Sequence, residues 1–134
     1  MSKFSAFLAP DVEGIEKELV ISERFVDEKG KVIPFKIRAV TQEENERLTK
    51  QATRRKKEGN RYVEELDTIE YSRRLLVQAT VYPPFSDAEF CAEAGVADPL
   101  LLPGKILLSG EYAALMKEIT ELSGFGKEHD EVKN

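Results

Sequence analysis

Between residues 16 and 40 the apolar positions fall in two strand-like runs, the second of them alternating with a period of two. Leu19, Val20, Ile21, Phe25 and Val26 form a β-branched and aromatic run. After the polar stretch Asp27-Glu28-Lys29-Gly30, Phe35, Ile37 and Ala39 alternate with Lys36 and Arg38. That pattern predicts an antiparallel hairpin over 16–40 with one buried face, turned by a glycine that tolerates positive φ. Pro34 removes one ladder donor, which predicts an edge position or a bulge for the second strand. A lone hairpin is marginal in water, so its apolar face must pack on the helices C-terminal to it.

From residue 41 the period becomes helical. Thr41-Gln42-Glu43-Glu44 has capping-box spacing and predicts a helix running to about Glu58, stopped by Gly59-Asn60. Its apolar content is thin, with Leu48 and Ala52 alone suited to burial. A second helix is expected from Tyr62 to Val81, where Tyr62, Leu66, Ile69, Leu76 and Ala79 fall near helical spacing. Pro83-Pro84 ends it. A second capping box, Ser86-Asp87-Ala88-Glu89, opens a short helix closed by Gly95. Asp98-Pro99 begins a Leu-rich stretch that Pro103-Gly104 interrupts. From Ser109 to Ser123, Tyr112, Leu115, Met116, Ile119 and Leu122 make one stripe, ended by Gly124. The expected fold class is α+β, mainly α: an N-terminal β-hairpin packed on a bundle of four to five helices. Residues 1–13 read as a flexible arm, 14–126 as a single globular domain (hairpin 16–40, helices 41–123), and 127–134 as a polar tail.

Composition narrows the chemistry. A chain of 134 residues fits one domain. With 41% hydrophobic and 34% charged residues it is too apolar for general disorder and too charged for a membrane protein. Twenty Lys+Arg against 25 Asp+Glu leave a formal charge of −5, which argues against wholesale wrapping of nucleic acid. One Cys and one His supply neither an internal disulfide nor a thiolate zinc site, and point to a reducing compartment. Met1-Ser2-Lys3-Phe4 opens no signal peptide. The apolar window Leu100–Leu108 is too short to span a bilayer, so the protein is expected to stay where it is made.

No catalytic, metal or cofactor set is expected. Gly104-Lys105 is followed by Ile106 where a phosphate loop needs Ser or Thr, and Gly124-Phe125-Gly126 lacks the third glycine of a dinucleotide fingerprint. The acidic pairs Glu43-Glu44, Glu64-Glu65 and Asp130-Glu131 read as solvated faces, since adjacent helical residues point apart. His129 falls in the tail, and Cys91, between Phe90 and Ala92, reads as a small buried hydrophobe. Arg54-Arg55-Lys56-Lys57, with Arg47, Lys50 and Arg61 nearby, is the one basic cluster; on a helix over 47–61 it offers a nucleic-acid surface, diluted by Glu43, Glu44, Glu46 and Glu58. The Leu-rich run holds six large aliphatics in nine positions, more than one helical face hides. Part of it is therefore a candidate partner surface, assigned to Leu100, Leu101, Leu102 and Leu107, with the arm's Phe4, Phe7 and Leu8 as a second candidate.

The order of these pieces resembles a known family. Phe35-Lys36-Ile37-Arg38, Thr41-Gln42-Glu43-Glu44 and Lys50-Gln51-Ala52-Thr53 are followed by Ala79-Thr80-Val81-Tyr82-Pro83-Pro84-Phe85 and Gly95-Val96-Ala97-Asp98-Pro99. Gly110-Glu111-Tyr112-Ala113-Ala114-Leu115 and Leu122-Ser123-Gly124-Phe125 complete a series that resembles the phage XkdN-like tail assembly chaperone family from about residue 15 to 126. Pro103-Gly104 departs from that pattern. The resemblance implies a non-catalytic protein of a phage or prophage, acting in the bacterial host cytoplasm and absent from the mature particle. Its implied partner is the tape measure protein, kept soluble until tail tube subunits polymerise around it. A nucleic-acid-associated regulator and a structural tail or adaptor protein are the alternatives.

Overall fold

The computed structural model describes residues 3–8 and 14–125. These comprise a short α1 (Ser5–Leu8), β1 (Glu16–Leu19), β2 (Phe35–Arg38), α2 (Gln42–Gln51), β3 (Thr53–Glu58), β4 (Arg61–Leu66), α3 (Thr68–Ala79), β5 (Thr80–Tyr82), α4 (Ala88–Ala94), α5 (Leu102–Ile106) and α6 (Ser109–Leu122). The architecture is mixed α/β, with two small antiparallel sheets, β1-β2-β5 and β3-β4.

The first sheet is built around β2. Glu16 lies opposite Arg38 and Leu19 opposite Phe35. Beyond β1 the hairpin continues through a Val26–Val32 bridge to a turn held by Asp27. The Asp27 carboxylate accepts from the backbone N–H of Lys29 and Lys31, and Gly30 takes φ 81°. Two expectations about β2 change. It is the central strand, because β5 pairs along its other side, and Pro34 stands just before it, where no ladder donor is needed. A register shift does occur, between Lys36 and Ile37 on the β5 side.

Phe35 and Ile37 enter the core while Lys36 and Arg38 stay half-buried at the surface. Around them pack Leu48 of α2, Leu75, Leu76 and Ala79 of α3, Phe85, and Leu115 and Ile119 of α6. Phe35 and Phe85 meet edge to face at 6.4 Å, and Phe85 stacks on Phe90 at 6.0 Å. Each fully buried Leu, Ile or Phe here contributes about 1.5–3 kcal/mol relative to exposure. Polar ties link distant segments: Arg24 clasps Glu111 and the Ile106 carbonyl, Lys17 meets Glu118 at 2.7 Å, and the Val40 N–H donates to Ser123 Oγ.

The largest departure from the sequence reading lies between residues 52 and 67. Instead of helices over 41–58 and 62–81, α2 stops at Gln51, α3 starts at Thr68, and a β-ribbon fills the interval. The ribbon wins because its strands complement each other while neither offers a helix an apolar stripe. Arg54 faces Glu65, Arg55 faces Glu64, and Glu58 faces Arg61 across the ladder. The Arg55 guanidinium also covers the Tyr62 ring at 4.2 Å. Gly59, expected as a helix stop, is the first residue of a two-residue hairpin loop with φ 62°. At the base the Asp67 N–H donates to the Ala52 carbonyl at 2.9 Å, and Asp67 then caps α3 by accepting from the Glu70 N–H.

The remaining helices follow their end signals closely. Thr41 and Glu44 form the reciprocal capping box of α2. In the second expected box the cap moves one residue, with Asp87 accepting from the Phe90 N–H, and Gly95 closes α4 in the left-handed region at φ 73°. The chain leaves α3 directly as β5, so Pro83-Pro84 ends a strand and not a helix.

Candidate partner-binding groove

The Leu-rich segment is a staircase whose steps face different ways. Asp98 opens it by accepting from the Leu100 N–H at 3.0 Å, capping a 3-10 turn over Pro99–Leu101. This runs straight into α5. Pro103 does not interrupt: it sits in the first turn of α5, where its missing N–H leaves no bond unmade. Successive residues of such a tight helix point about 100–120° apart, so four candidate side chains cannot share one face.

The structure splits them. Leu102 is fully buried and Leu107 is 8% exposed; both belong to the core, which corrects their assignment to a partner surface. Leu101 is 46% exposed and Leu100 half-buried, and both line an open groove of about 870 Å³. The other wall comes from the first turn of α3, where Ile69 is 65% exposed, with Ser72 and Arg73 beside it. Val96, Lys105 and Tyr112 also line the groove. Helical spacing alone groups Ile69 with a buried stripe. The signal that places it at an exposed helix start is Asp67-Thr68-Ile69-Glu70, a cap residue three positions before a carboxylate.

A second concavity of about 670 Å³ lies under the ribbon and shares Thr68 and Ile69 with the first. Leu66 and the β3 residues Arg54, Arg55, Lys56 and Lys57 line it. The basic cluster is thus on a strand, not on the expected helix over 47–61, and much of its charge is answered nearby. Glu70 takes the Arg54 guanidinium, and Lys56 Nζ lies 3.7 Å from Glu65. Lys57, Arg73 and Lys105 enter no ion pair among the described residues; Lys105 Nζ donates to the Ala94 carbonyl.

Other sequence-derived candidates lie elsewhere. Phe4, Phe7 and Leu8 are exposed on and beside α1 and do not line the groove. Cys91 is buried, its thiol against the Phe85 carbonyl at 3.3 Å. His129 and the tail lie outside the described residues, as does part of the arm. Among the described residues no three His, Cys, Asp or Glu side chains gather as a metal ion needs, and no helix is long and apolar enough to cross a membrane.

A family model for the phage XkdN-like tail assembly chaperone protein matches residues 4–134. The uncharacterized protein YqbN of Bacillus subtilis (strain 168) is 35% identical over 124 residues, covering 91% of this chain and 83% of its own length. The phage-like element PBSX protein XkdN of the same organism is 34% identical over 116 residues, covering 85% and 78%. The crystal structure of YqbN superposes with a TM-score of 0.76 at 31% identity, covering 93% of this chain and 98% of that one.

Proposed function

This chain belongs to the phage XkdN-like tail assembly chaperone family, and we propose that it holds the tape measure protein of its phage or prophage soluble during tail assembly. The work is reversible masking: apolar stripes of the client are covered until tail tube subunits replace the chaperone, without catalysis or nucleotide. The place of action is the host cytoplasm, and the chain leaves before the particle is finished. The observation that carries this reading beyond family membership is the pairing of Ile69 and Leu101. Two large aliphatics from separate elements stand exposed in one groove, while Leu102 and Leu107 of the same Leu-rich segment are buried.

The test is co-expression with the tape measure protein encoded by the same element, followed by pull-down on this chain. Soluble, co-purifying tape measure protein supports the reading. If that protein stays insoluble and nothing co-purifies, the reading fails. Stoichiometric amounts of this chain in purified particles would instead mark a structural tail protein.

A further inference from the structure

The groove differs electrostatically from the molecule that carries it. The chain as a whole is acidic, at −5. Yet among the described residues no carboxylate lines the larger concavity, while Arg73 and Lys105 both do. Next to it, beyond the shared Thr68 and Ile69, the second concavity is lined by Glu65 and Asp67 as well as by Arg54, Arg55, Lys56 and Lys57. Glu65 faces Lys56 and Asp67 caps α3, which leaves Lys57 as a third cation without an ion pair among the described residues. Between these charges run the apolar groups Leu66, Ile69 and Leu101, each more than 40% exposed. A strip of aliphatic side chains flanked by cations that no carboxylate neutralises among the described residues complements one kind of segment particularly well: a helix with an apolar stripe bordered by Asp and Glu.

We propose that this groove takes an acidic amphipathic helix, its apolar stripe seated on Leu66, Ile69 and Leu101 and its flanking carboxylates on Lys57, Arg73 and Lys105. The inference rests on the chaperone reading and specifies the chemistry of the client segment. The net negative charge of the rest of the surface repels long polyanions at distance, whereas a short acidic helix meets the cations locally. That combination selects for short acidic stripes over nucleic acid.

The test uses the full chain and two synthetic peptides of about 15 residues, four helical turns. Both carry Leu at helical i, i+3, i+4, i+7 spacing; one has Glu on its flanks and the other Lys. Titration followed by calorimetry or amide chemical shifts is expected to show the Glu peptide bound and the Lys peptide at least tenfold weaker. Arg73→Glu is expected to weaken the Glu peptide about tenfold and to narrow the preference between the two. Arg73 is exposed and makes no ion pair among the described residues, so the variant folds; its circular dichroism melt verifies this. Ile69→Ser should weaken both peptides. Equal binding of the two peptides, binding of neither, or indifference to Arg73→Glu overturns the proposal. So does a single-stranded oligonucleotide that binds more tightly and displaces the Glu peptide. The two readings fail separately. Tape measure co-purification without peptide binding sinks only the groove chemistry, and peptide binding without co-purification sinks only the client's identity.

Discussion

Arg38 at the end of β2 grips both carboxylate oxygens of Glu44 in the first turn of α2, at 3.1 and 2.7 Å. The same carboxylate accepts from the Thr41 N–H to complete the capping box and from Gln78 of α3 at 3.3 Å. One side chain therefore joins the central strand to two helices, and most of its hydrogen-bonding capacity is committed. The Arg38 fork, helped by the Thr41 N–H, holds the Glu44 carboxyl at about 2, well below the ordinary 4.5.

This pair gives stability a defined pH dependence. A carboxyl with a lowered folded pKa stabilises fully above its unfolded value of 4.5, and the contribution is lost as pH falls from there toward about 2. Urea unfolding between pH 7 and pH 2.5 should therefore show a fall that Glu44→Gln reduces. At pH 7 the same substitution is expected to cost about 1–2 kcal/mol, allowing for partial solvent screening. An unchanged acid slope in the variant would remove Glu44 as its source.

The Leu-rich segment should divide cleanly under substitution. Leu102→Ala is expected to lose about 2–5 kcal/mol, as for a leucine removed from a packed core, and Leu107→Asp should unfold the domain by burying a charge. Leu101→Asp, at an exposed position, should leave the thermal midpoint nearly unchanged and abolish client capture. If Leu101→Asp unfolds the chain or Leu107→Asp leaves it intact, the division drawn between groove and core is wrong.

The β3–β4 ribbon should be separable from the domain. Deleting residues 55–58 and 61–64 keeps the Gly59-Asn60 loop between Arg54 and Glu65. Removing four residues from each strand preserves which face every remaining pair occupies. Because the lost side chains are nearly all exposed, the shortened chain should melt cooperatively within about 1 kcal/mol of the parent. Loss of cooperative melting would show that the ribbon is needed for the fold.

Cys91 offers a probe of global opening. Its thiol is buried against the Phe85 carbonyl in the core, so reaction with a thiol reagent should be slow in buffer and immediate in denaturant. The native rate should follow the unfolding equilibrium as urea is added. Fast labelling in buffer would place α4 in a locally open state.

Several elements are legible without tertiary knowledge because their causes are local. The Asp27–Gly30 turn, the alternation of Phe35, Ile37 and Ala39, the Thr41/Glu44 box, the Gly95 stop and the α6 stripe each depend on residues within a few positions of one another. The ribbon escapes such a reading for a different reason. Its stabilising pairs join Arg54 to Glu65 and Arg55 to Glu64, roughly ten residues apart, and the helical spacing of Leu66, Ile69 and Leu76 suggests a competing period. Gly59-Asn60 fits a helix stop and a two-residue hairpin loop equally well until the strands on either side are compared for charge.

The amino-acid sequence by itself determined the family, the Thr41 start of α2, the Gly95 stop of α4, the N-terminal hairpin and the presence of more aliphatic surface near residues 100–108 than one face hides. Only the tertiary structure decided which of those aliphatics are exposed. Leu101 and Leu102 are neighbours of one residue type, and local preference does not distinguish them. The distinction comes from what surrounds each, the packed core for Leu102 and an open groove walled by the first turn of α3 for Leu101. Burial is a property of the partner surface as much as of the residue, and that surface exists only once distant segments have packed.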